Sequence, residues 1–286
     1  MNVMVLGANG QLGHDICRVL AHNQNLSVIK ITRNEFDASI DLDNIATKFN
    51  GLSVDIIINC IAVTNVDWCE ANGLTAFNVN TIFVCKLAQF CKQKNIVLFQ
   101  ISTDYVFDGL NEFEYQEFDE PHPQNIYGMS KYGSEITIPL YHDKYFIFRV
   151  SGLFGKVGAS GKGGNFITTM QRLAKEKAEI NVIADQVSNP TSTLAVARCI
   201  AHFIDSNMDK YGIYHCVSCD SISWYDFARK ILNLSGLDAN KIKPIDFKDY
   251  SFVAQRPQNS VLSVRKLNEF YTMPTIDDSL NEYFTL

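Results

Sequence analysis

The chain has 286 residues, of which 47% are hydrophobic and 20% charged, an ordinary globular composition with enough apolar material for a large core. Its formal net charge of -6 argues against non-specific binding to nucleic acid, which needs a basic face that replaces counterions. The first residues lack the basic flank and cleavage site of a signal peptide, and no apolar run reaches the roughly 18–20 residues of a membrane span. We therefore expect a cytoplasmic protein with no nucleic-acid or membrane partner.

The first half of the chain alternates short apolar runs with amphipathic stretches, which is typical of strand–helix–strand units around a parallel sheet. Apolar runs predict strands at residues 3–6, 26–31, 54–58, 96–101 and 145–150. Helical spacing predicts a first helix from Leu12 through Leu20 and a longer one from Phe83 through Phe90. The predicted class is α/β, with a doubly wound parallel sheet built from residues 1–150 and about 180–218.

The second half is less regular and predicts a smaller unit. Glycines crowd residues 152–164, which we interpret as a loop. A helix over 166–177, a strand over 180–184, a helix over 194–204 and a strand near Tyr214 follow, and short helices fill the tail. Residues of about 151–179 and 219–286 are predicted to form a discontinuous C-terminal substrate-binding domain. Ligands of such sheets bind at the carboxyl ends of the strands.

A glycine-rich turn follows the first predicted strand and opens the first helix. Its glycines permit a tight turn, close approach of the backbone to a diphosphate and close packing of helix on strand. The helix N-terminus then directs unpaired N–H groups towards the phosphates. This pattern predicts a Rossmann-type dinucleotide site, whose cofactor-binding residues would be Gly7, Asn9, Gly10, Gln11, Leu12 and Gly13.

The end of the second strand indicates which dinucleotide binds. An acidic residue there would hydrogen-bond the adenosine ribose of NAD, whereas a cation attracts the additional phosphate of NADP. This chain has Lys30-Ile31-Thr32-Arg33 at that point. The sequence therefore favours NADPH, with NADH as the alternative, because Arg33 is also compatible with a solvated surface position.

Two further patterns supply groups for proton transfer. Tyr127 and Lys131 are four residues apart on a predicted helix and so share one face. A nearby ammonium lowers the pKa of a tyrosine, so that it can exchange a proton near neutral pH. Thr103 lies just beyond the carboxyl end of the predicted strand 96–101, where its hydroxyl can hold a carbonyl oxygen beside the tyrosine. The three patterns together predict a reductase.

These motifs identify the family that the chain resembles. It is similar, nearly from end to end, to the extended short-chain dehydrogenases and within them to the dTDP-4-dehydrorhamnose reductase family. The matching segments are GANGQLG (7–13), NCIAVTNVD (59–67), STDYVFDG (102–109), IYGMSKYGSE (126–135), GGNF (163–166), DQVSNPT (185–191), WYDFA (224–228) and RPQNS (256–260).

The resemblance implies a role for individual positions. Thr103, Tyr127 and Lys131 match the catalytic triad, and Asp104 matches a residue beside the substrate. Cofactor contacts match the glycine turn together with Asp41, Leu42, Ala62, Val63 and Thr64. The sugar-nucleotide site matches Val66, Tyr105, Gly152, Asn165 and Arg256, the last as either a phosphate ligand or a structural anchor. The implied reaction is reduction of the 4-keto group of a nucleotide-linked 6-deoxy sugar, most often in rhamnose and polysaccharide biosynthesis.

Two departures from the family pattern qualify these implications. Gly152 stands where rhamnose-forming members commonly have a tryptophan against the sugar, which leaves the sugar undetermined. Some members dimerise through a divalent metal, but here Leu194 stands where an acid would accompany Asp15. The Cys216 and Cys219 pair has no second pair to complete a metal site. We predict no metal and leave a homodimer open.

Other functions stay open at this level. The nearest alternative is a reductase or epimerase of another nucleotide sugar. A dehydratase is disfavoured because Tyr105, and not a glutamate, follows Asp104. The same family includes a non-catalytic regulatory subunit of methionine adenosyltransferase, and a nucleotide-sensing regulator of the same fold is a further alternative. Turnover of a keto sugar distinguishes the enzymes from the regulators.

Overall fold

The central feature of the fold is a six-stranded parallel sheet, in a computed structural model that describes residues 1–158, 164–206 and 209–286. Its strands are β1 (Asn2–Leu6), β2 (Ser27–Ile31), β3 (Ile56–Asn59), β4 (Val97–Thr103), β5 (Tyr145–Val150) and β8 (Gly212–His215). They lie in the order β2-β1-β3-β4-β5-β8. The order reverses between β1 and β3, which places a crevice for ligands at the carboxyl ends of these two strands.

Helices cover both faces of the sheet. On one face, α1 (Gln11–Leu20) and α8 (Thr193–Asp205) pack against buried residues of every other strand position. On the other face lie α2 (Ile45–Phe49), α5 (Phe83–Lys94) and α6 (Ile126–Tyr141). Because both faces are buried, β1, β3, β4 and β5 consist almost entirely of buried residues. The predicted doubly wound α/β class is confirmed.

One helical stretch of the fold is unusually long and apolar. α3 (Val66–Ala71) precedes α4 (Gly73–Phe77), which continues through a π-helical turn at Asn78–Ile82 into α5. The resulting 22-residue stretch, Gly73–Lys94, is long and apolar enough to cross a membrane. Of an apolar 18-residue window within it, 56% is buried inside the protein. The expectation that no segment reaches this length is therefore wrong, although the burial is typical of a core helix.

A second apolar cluster lies beside the sheet and forms the smaller unit. α7 (Phe166–Glu176), α9 (Trp224–Leu234) and α10 (Ile276–Thr285) surround it, and β6 (Ile180–Ile183) pairs with β10 (Ile242–Ile245). A short antiparallel pair joins β7 (Val187–Ser188) to β9 (Ile222–Ser223).

β6 and α8, which both fall in the predicted segment of about 180–218, pack in different places. Ile180 and Val182 belong to the same apolar cluster as α7 and α9, and β6 makes no pairing with the central sheet. α8, by contrast, packs on α1 and the sheet. The division of the chain at about residue 180 stays a prediction. The predicted glycine loop is only partly described, since Gly161 and Gly163 lie outside the described residues.

Candidate active site

The glycine turn lies at the carboxyl end of β1, as predicted. The N–H of Gly10 donates to the Gly7 carbonyl oxygen at 2.9 Å, which closes the turn, and Gly10 is the N-cap of α1. A Cβ at Gly13 would lie 2.3 Å from the Gly7 carbonyl oxygen, so only glycine permits this approach of helix to turn. The arrangement leaves the N-terminal N–H groups of α1 directed into the crevice and fits a diphosphate.

Gln11 connects this turn to the rest of the site. Its side-chain amide donates to the Leu153 carbonyl oxygen at 3.1 Å and accepts from Asn165 Nδ2 at 3.3 Å. Asn165 also caps α7, where its side chain accepts from the Thr168 N–H. The cofactor loop and a predicted substrate residue thus meet in one hydrogen-bonded group.

The end of β2 carries the residues predicted to contact the adenosine. The Arg33 side chain is 77% exposed, and its Nε donates to Asp37 at 2.8 Å. Asp41 accepts from the Asp37 N–H at 3.0 Å, and Leu42 packs against the sheet. Arg33 therefore lies at the predicted edge of the site, but Asp37 offsets part of its charge.

The segment after β3 is fixed by a residue that sequence reasoning missed. Buried Asn80 accepts from the Val63 N–H at 2.9 Å and donates to the Val63 carbonyl oxygen at 3.0 Å. Asn80 also donates to Ser130 Oγ in α6 at 2.9 Å. Asn80 therefore connects the segment that contains Ala62, Val63 and Thr64 to α6.

Thr103, Tyr127 and Lys131 come together at the end of β4. All three side chains are buried, and the hydroxyls of Thr103 and Tyr127 hydrogen-bond with each other. Lys131 Nζ donates to the Ile101 carbonyl oxygen at 2.6 Å. α6 approaches this closely because Gly128 packs on the backbone of Tyr105, where a Cβ would lie 2.2 Å from the carbonyl oxygen.

The electrostatics of this group differ from the expectation in one respect. Burial raises the pKa of Tyr127, and the hydrogen bond with Thr103 opposes that change only in part. Burial also lowers the pKa of Lys131 to about 8, against the attraction of Glu135. The expectation of a lowered tyrosine pKa is therefore wrong, because desolvation of the phenolate raises that pKa and is the largest influence on it. Tyr127 is a protonated acid at neutral pH.

Asp104 lies next to Thr103 and joins three parts of the chain. Its carboxylate accepts hydrogen bonds from Thr103 at 3.0 Å, Ser151 at 2.8 Å and Ser260 at 2.7 Å. Burial raises its pKa although these hydroxyls act in the opposite direction. Asp104 therefore orients Thr103, and Ser260 of the RPQNS segment is a contributor that spacing alone did not single out.

A buried ion pair connects β5 to α6 close to Thr103 and Lys131. Arg149 of β5 donates to Glu135 of α6, with Nη2 to Oε2 at 2.7 Å, and Ser102 Oγ donates to the same carboxylate at 2.5 Å. The guanidinium lies 4.9 Å from the centre of the Phe107 ring. Because Glu135 is one helical turn from Lys131 and Ser102 precedes Thr103, this pair fixes the spacing of β4 and α6.

The predicted substrate residues border Tyr127. Tyr105 packs edge-on against it with ring centres 5.9 Å apart, and Val66 adjoins the same small apolar cluster. Arg256 Nη2 donates to both carboxylate oxygens of Asp67 at 3.0 Å and hydrogen-bonds with Tyr105. These contacts are those of an anchor; a phosphate role for Arg256 stays a prediction.

The residues considered for a metal do not form a ligand group. Asp15 is buried and accepts from Thr193 Oγ1 at 2.5 Å, and Arg18 lies 3.8 Å from its carboxylate. Within residues 1–158, 164–206 and 209–286, no cluster of three His, Cys, Asp or Glu side chains could hold a metal ion. Cys216 is buried and Cys219 exposed.

Comparison with known proteins agrees with this geometry. A family model described as RmlD substrate binding domain matches residues 1–284. The dTDP-4-dehydrorhamnose reductase of Escherichia coli (strain K12) is 32% identical over 300 residues, covering 100% of this chain and 99% of that protein.

Solved structures extend the likeness to three dimensions. A dTDP-4-dehydrorhamnose reductase from Clostridium acetobutylicum has a TM-score of 0.90 and 35% identity, covering 100% of this chain and 99% of that one. The enzyme of the same name from Bacillus anthracis, in complex with NADP, has a TM-score of 0.89 and 34% identity, covering 99% and 98%. The resemblance seen in the motifs is confirmed, and the chain belongs to the dTDP-4-dehydrorhamnose reductase family.

Proposed function

We propose that this protein uses NADPH to reduce the 4-keto group of a nucleotide-linked 6-deoxy sugar. The substrate proposed first is dTDP-4-dehydro-L-rhamnose, which becomes dTDP-L-rhamnose. The observation that carries the proposal is the buried group of Thr103, Tyr127 and Lys131 beside the glycine turn. Full-length relatives named as reductases of this sugar support it.

The residues around the crevice fit a dinucleotide. The close approach at Gly13 leaves room for a diphosphate where a side chain would intrude. Tyr127 and Lys131 would hold the nicotinamide ribose, and Arg33 would meet the additional phosphate of NADPH, with NADH as the alternative. Bound NADPH supplies the hydride.

The chain's own residues then deal with the ketone oxygen. When the ketone binds, the Thr103 hydroxyl would turn its single hydrogen from Asp104 to the ketone oxygen and hold that oxygen beside Tyr127. Tyr127 transfers its proton to the ketone oxygen, which becomes the C4 hydroxyl. Its raised pKa keeps the proton in place until the oxygen gains charge. Lys131, still cationic at neutral pH, stabilises the phenolate that remains until solvent returns a proton.

One alternative has a specific observation in its favour. Gly152 carries no side chain at a position predicted to face the sugar, so a reductase or epimerase of another nucleotide sugar fits the same catalytic group. A non-catalytic, NADP-binding regulatory subunit would keep the fold without turnover.

The test is consumption of NADPH with a dTDP-4-keto-6-deoxy sugar generated in place by the preceding enzymes. Rapid oxidation supports the reductase, and nuclear magnetic resonance of the product identifies the sugar. Tight NADPH binding without oxidation would instead support another keto sugar or the regulatory function. A cytoplasmic location is part of the proposal and is tested by cell fractionation; light scattering determines whether the protein forms a homodimer.

A further inference from the structure

A tryptophan with no part in the mechanism above lies beside Gly152, which is one of the predicted sugar-site residues. Trp224 is the first residue of α9 and is half-buried. Its ring centre lies 4.6 Å from that of Phe166 and 6.0 Å from that of Phe227. Aromatic neighbours therefore fix the indole from the side of the smaller unit.

Gly152 also borders the indole. Its φ of +50° lies in the left-handed region, and a Cβ there would lie 3.2 Å from Trp224 Cη2 and 3.1 Å from Pro190 Cα. A side chain at this position would meet both the ring and the backbone. Glycine at 152 therefore leaves the space to Trp224, and the indole lies against bare backbone.

Both neighbours of the indole are attached to the reacting groups. Gly152 follows Ser151, which donates to Asp104, the partner of Thr103. Phe166 follows Asn165, which donates to Gln11 of the glycine turn at 3.3 Å. Trp224 thus bridges the catalytic end of the sheet and the residue that closes the cofactor loop.

We propose that Trp224 forms the apolar wall against which the sugar ring of the substrate packs, and that it determines which sugars are accepted. The inference rests on the proposed function. A 6-deoxy sugar presents C–H groups and a methyl group, which bury well against a large flat indole. Thr103, which would orient such a sugar, is joined to Ser151 and so to Gly152 through the Asp104 carboxylate.

The chain offers a direct optical test, because Trp68 and Trp224 are its two tryptophans. Trp68 is 41% exposed on α3, and Trp68→Phe leaves Trp224 as the sole indole emitter. Titration of this variant with dTDP-L-rhamnose should change the emission, whereas dTDP alone should leave it unchanged. An equal response to dTDP would place the base against Trp224 and overturn the proposal. The proposal would also be overturned if calorimetry detects binding of the dTDP-sugar but the emission of Trp224 does not change.

Kinetics of substituted enzymes separate a wall from a structural residue. Trp224→Leu should raise KM for the keto sugar by about tenfold, a typical value for a lost apolar contact, and leave KM for NADPH and Tm close to wild type. Trp224→Phe should retain most of the affinity, and Trp68→Phe serves as the matched control. Equal losses of NADPH and sugar affinity in Trp224→Leu, or a large loss of Tm in both Trp224 variants, would contradict the wall.

The two proposals fail separately. If the wild-type protein does not oxidise NADPH with the keto sugar, the proposed reaction fails, while the response of Trp224 to dTDP-sugars still reports on the wall. If the wild type turns over and Trp224→Leu is unchanged in KM, the wall alone fails.

Discussion

Tyr127 is buried beside Thr103 and holds its proton more tightly than a free tyrosine. Tyr127→Phe removes that proton and changes little else in shape, so turnover should fall by about 10²–10⁴ or more. NADPH affinity, measured by fluorescence titration, should stay near wild type because the ribose still meets Lys131. Normal turnover in this variant would remove Tyr127 from the proposed mechanism.

Lys131 gives the reaction a defined dependence on pH. Burial lowers its pKa to about 8, so the ammonium is present below that value and is lost as the pH rises through it. Since the neutral amine stabilises a phenolate less well, kcat/KM for NADPH should be level near neutral pH and fall above about pH 8. Steady-state rates across the range measure this. A value of kcat/KM that stays level beyond pH 9.5 would contradict the lowered pKa of Lys131.

For single residues, the sequence predicted which side chains come together but not the direction in which the tyrosine pKa shifts. The four-residue spacing of Tyr127 and Lys131 on one helix was enough to place them together, and the structure agrees. The direction of the tyrosine pKa was not predictable, because it depends on how completely Tyr105, Cys69 and the surrounding chain exclude water. Spacing along a helix carries no information about that exclusion.

Among the elements, α1 depends on its close approach to the glycine turn. Gly13→Ala would set a methyl group 2.3 Å from the Gly7 carbonyl oxygen, so the helix must move away. We expect a loss of about 1–3 kcal/mol in the free energy of unfolding and a marked loss of NADPH affinity. Chemical denaturation and NADPH titration measure the two effects.

Gly51→Ala is the matched control, since a Cβ at Gly51 has no neighbour within 4 Å among the described residues. Its stability should be unchanged or slightly raised. Equal behaviour of the two alanine variants would contradict the assigned packing.

The Glu135–Arg149 pair holds α6 against β4 and β5. Glu135→Gln leaves the buried Arg149 charge without its carboxylate and should lower the free energy of unfolding by about 3 kcal/mol. The exposed pair of Arg172 and Glu176 on α7 provides the comparison, and Glu176→Gln should change it by less than about 0.5 kcal/mol. Urea denaturation distinguishes them. Similar small losses in both variants would show that the buried pair does not position the helix.

Elements of the central sheet were predictable because burial on both faces produces unbroken apolar runs, and the β5 bounds agree residue for residue. The pairing of β6 with β10 was not predictable, because β10 lies some sixty residues later in the chain. The contribution of Asn80 could not be read either, because an asparagine inside a helical pattern gives no sign of the strand end that it holds.

On the scale of the whole molecule, distant segments meet at the ends of β1, β3, β4 and β5. The C-terminal segment reaches the catalytic strand through Ser260 and the α3 region through Arg256. Such long-range hydrogen bonds have no local signature, so the motif RPQNS could be assigned from resemblance but not from its own composition. The contacts that join these distant segments were therefore not predictable from local patterns.

The central claim is that a hydride passes from NADPH to C4 of a nucleotide-linked sugar. The most direct measurement uses NADPH that carries deuterium at both C4 positions of the nicotinamide, together with the dTDP-4-keto-6-deoxy sugar, followed by nuclear magnetic resonance and mass spectrometry of the sugar formed. We expect one deuterium per product molecule, attached to C4 of the sugar. Oxidation of NADPH without deuterium in the sugar, or deuterium at another carbon, would contradict it.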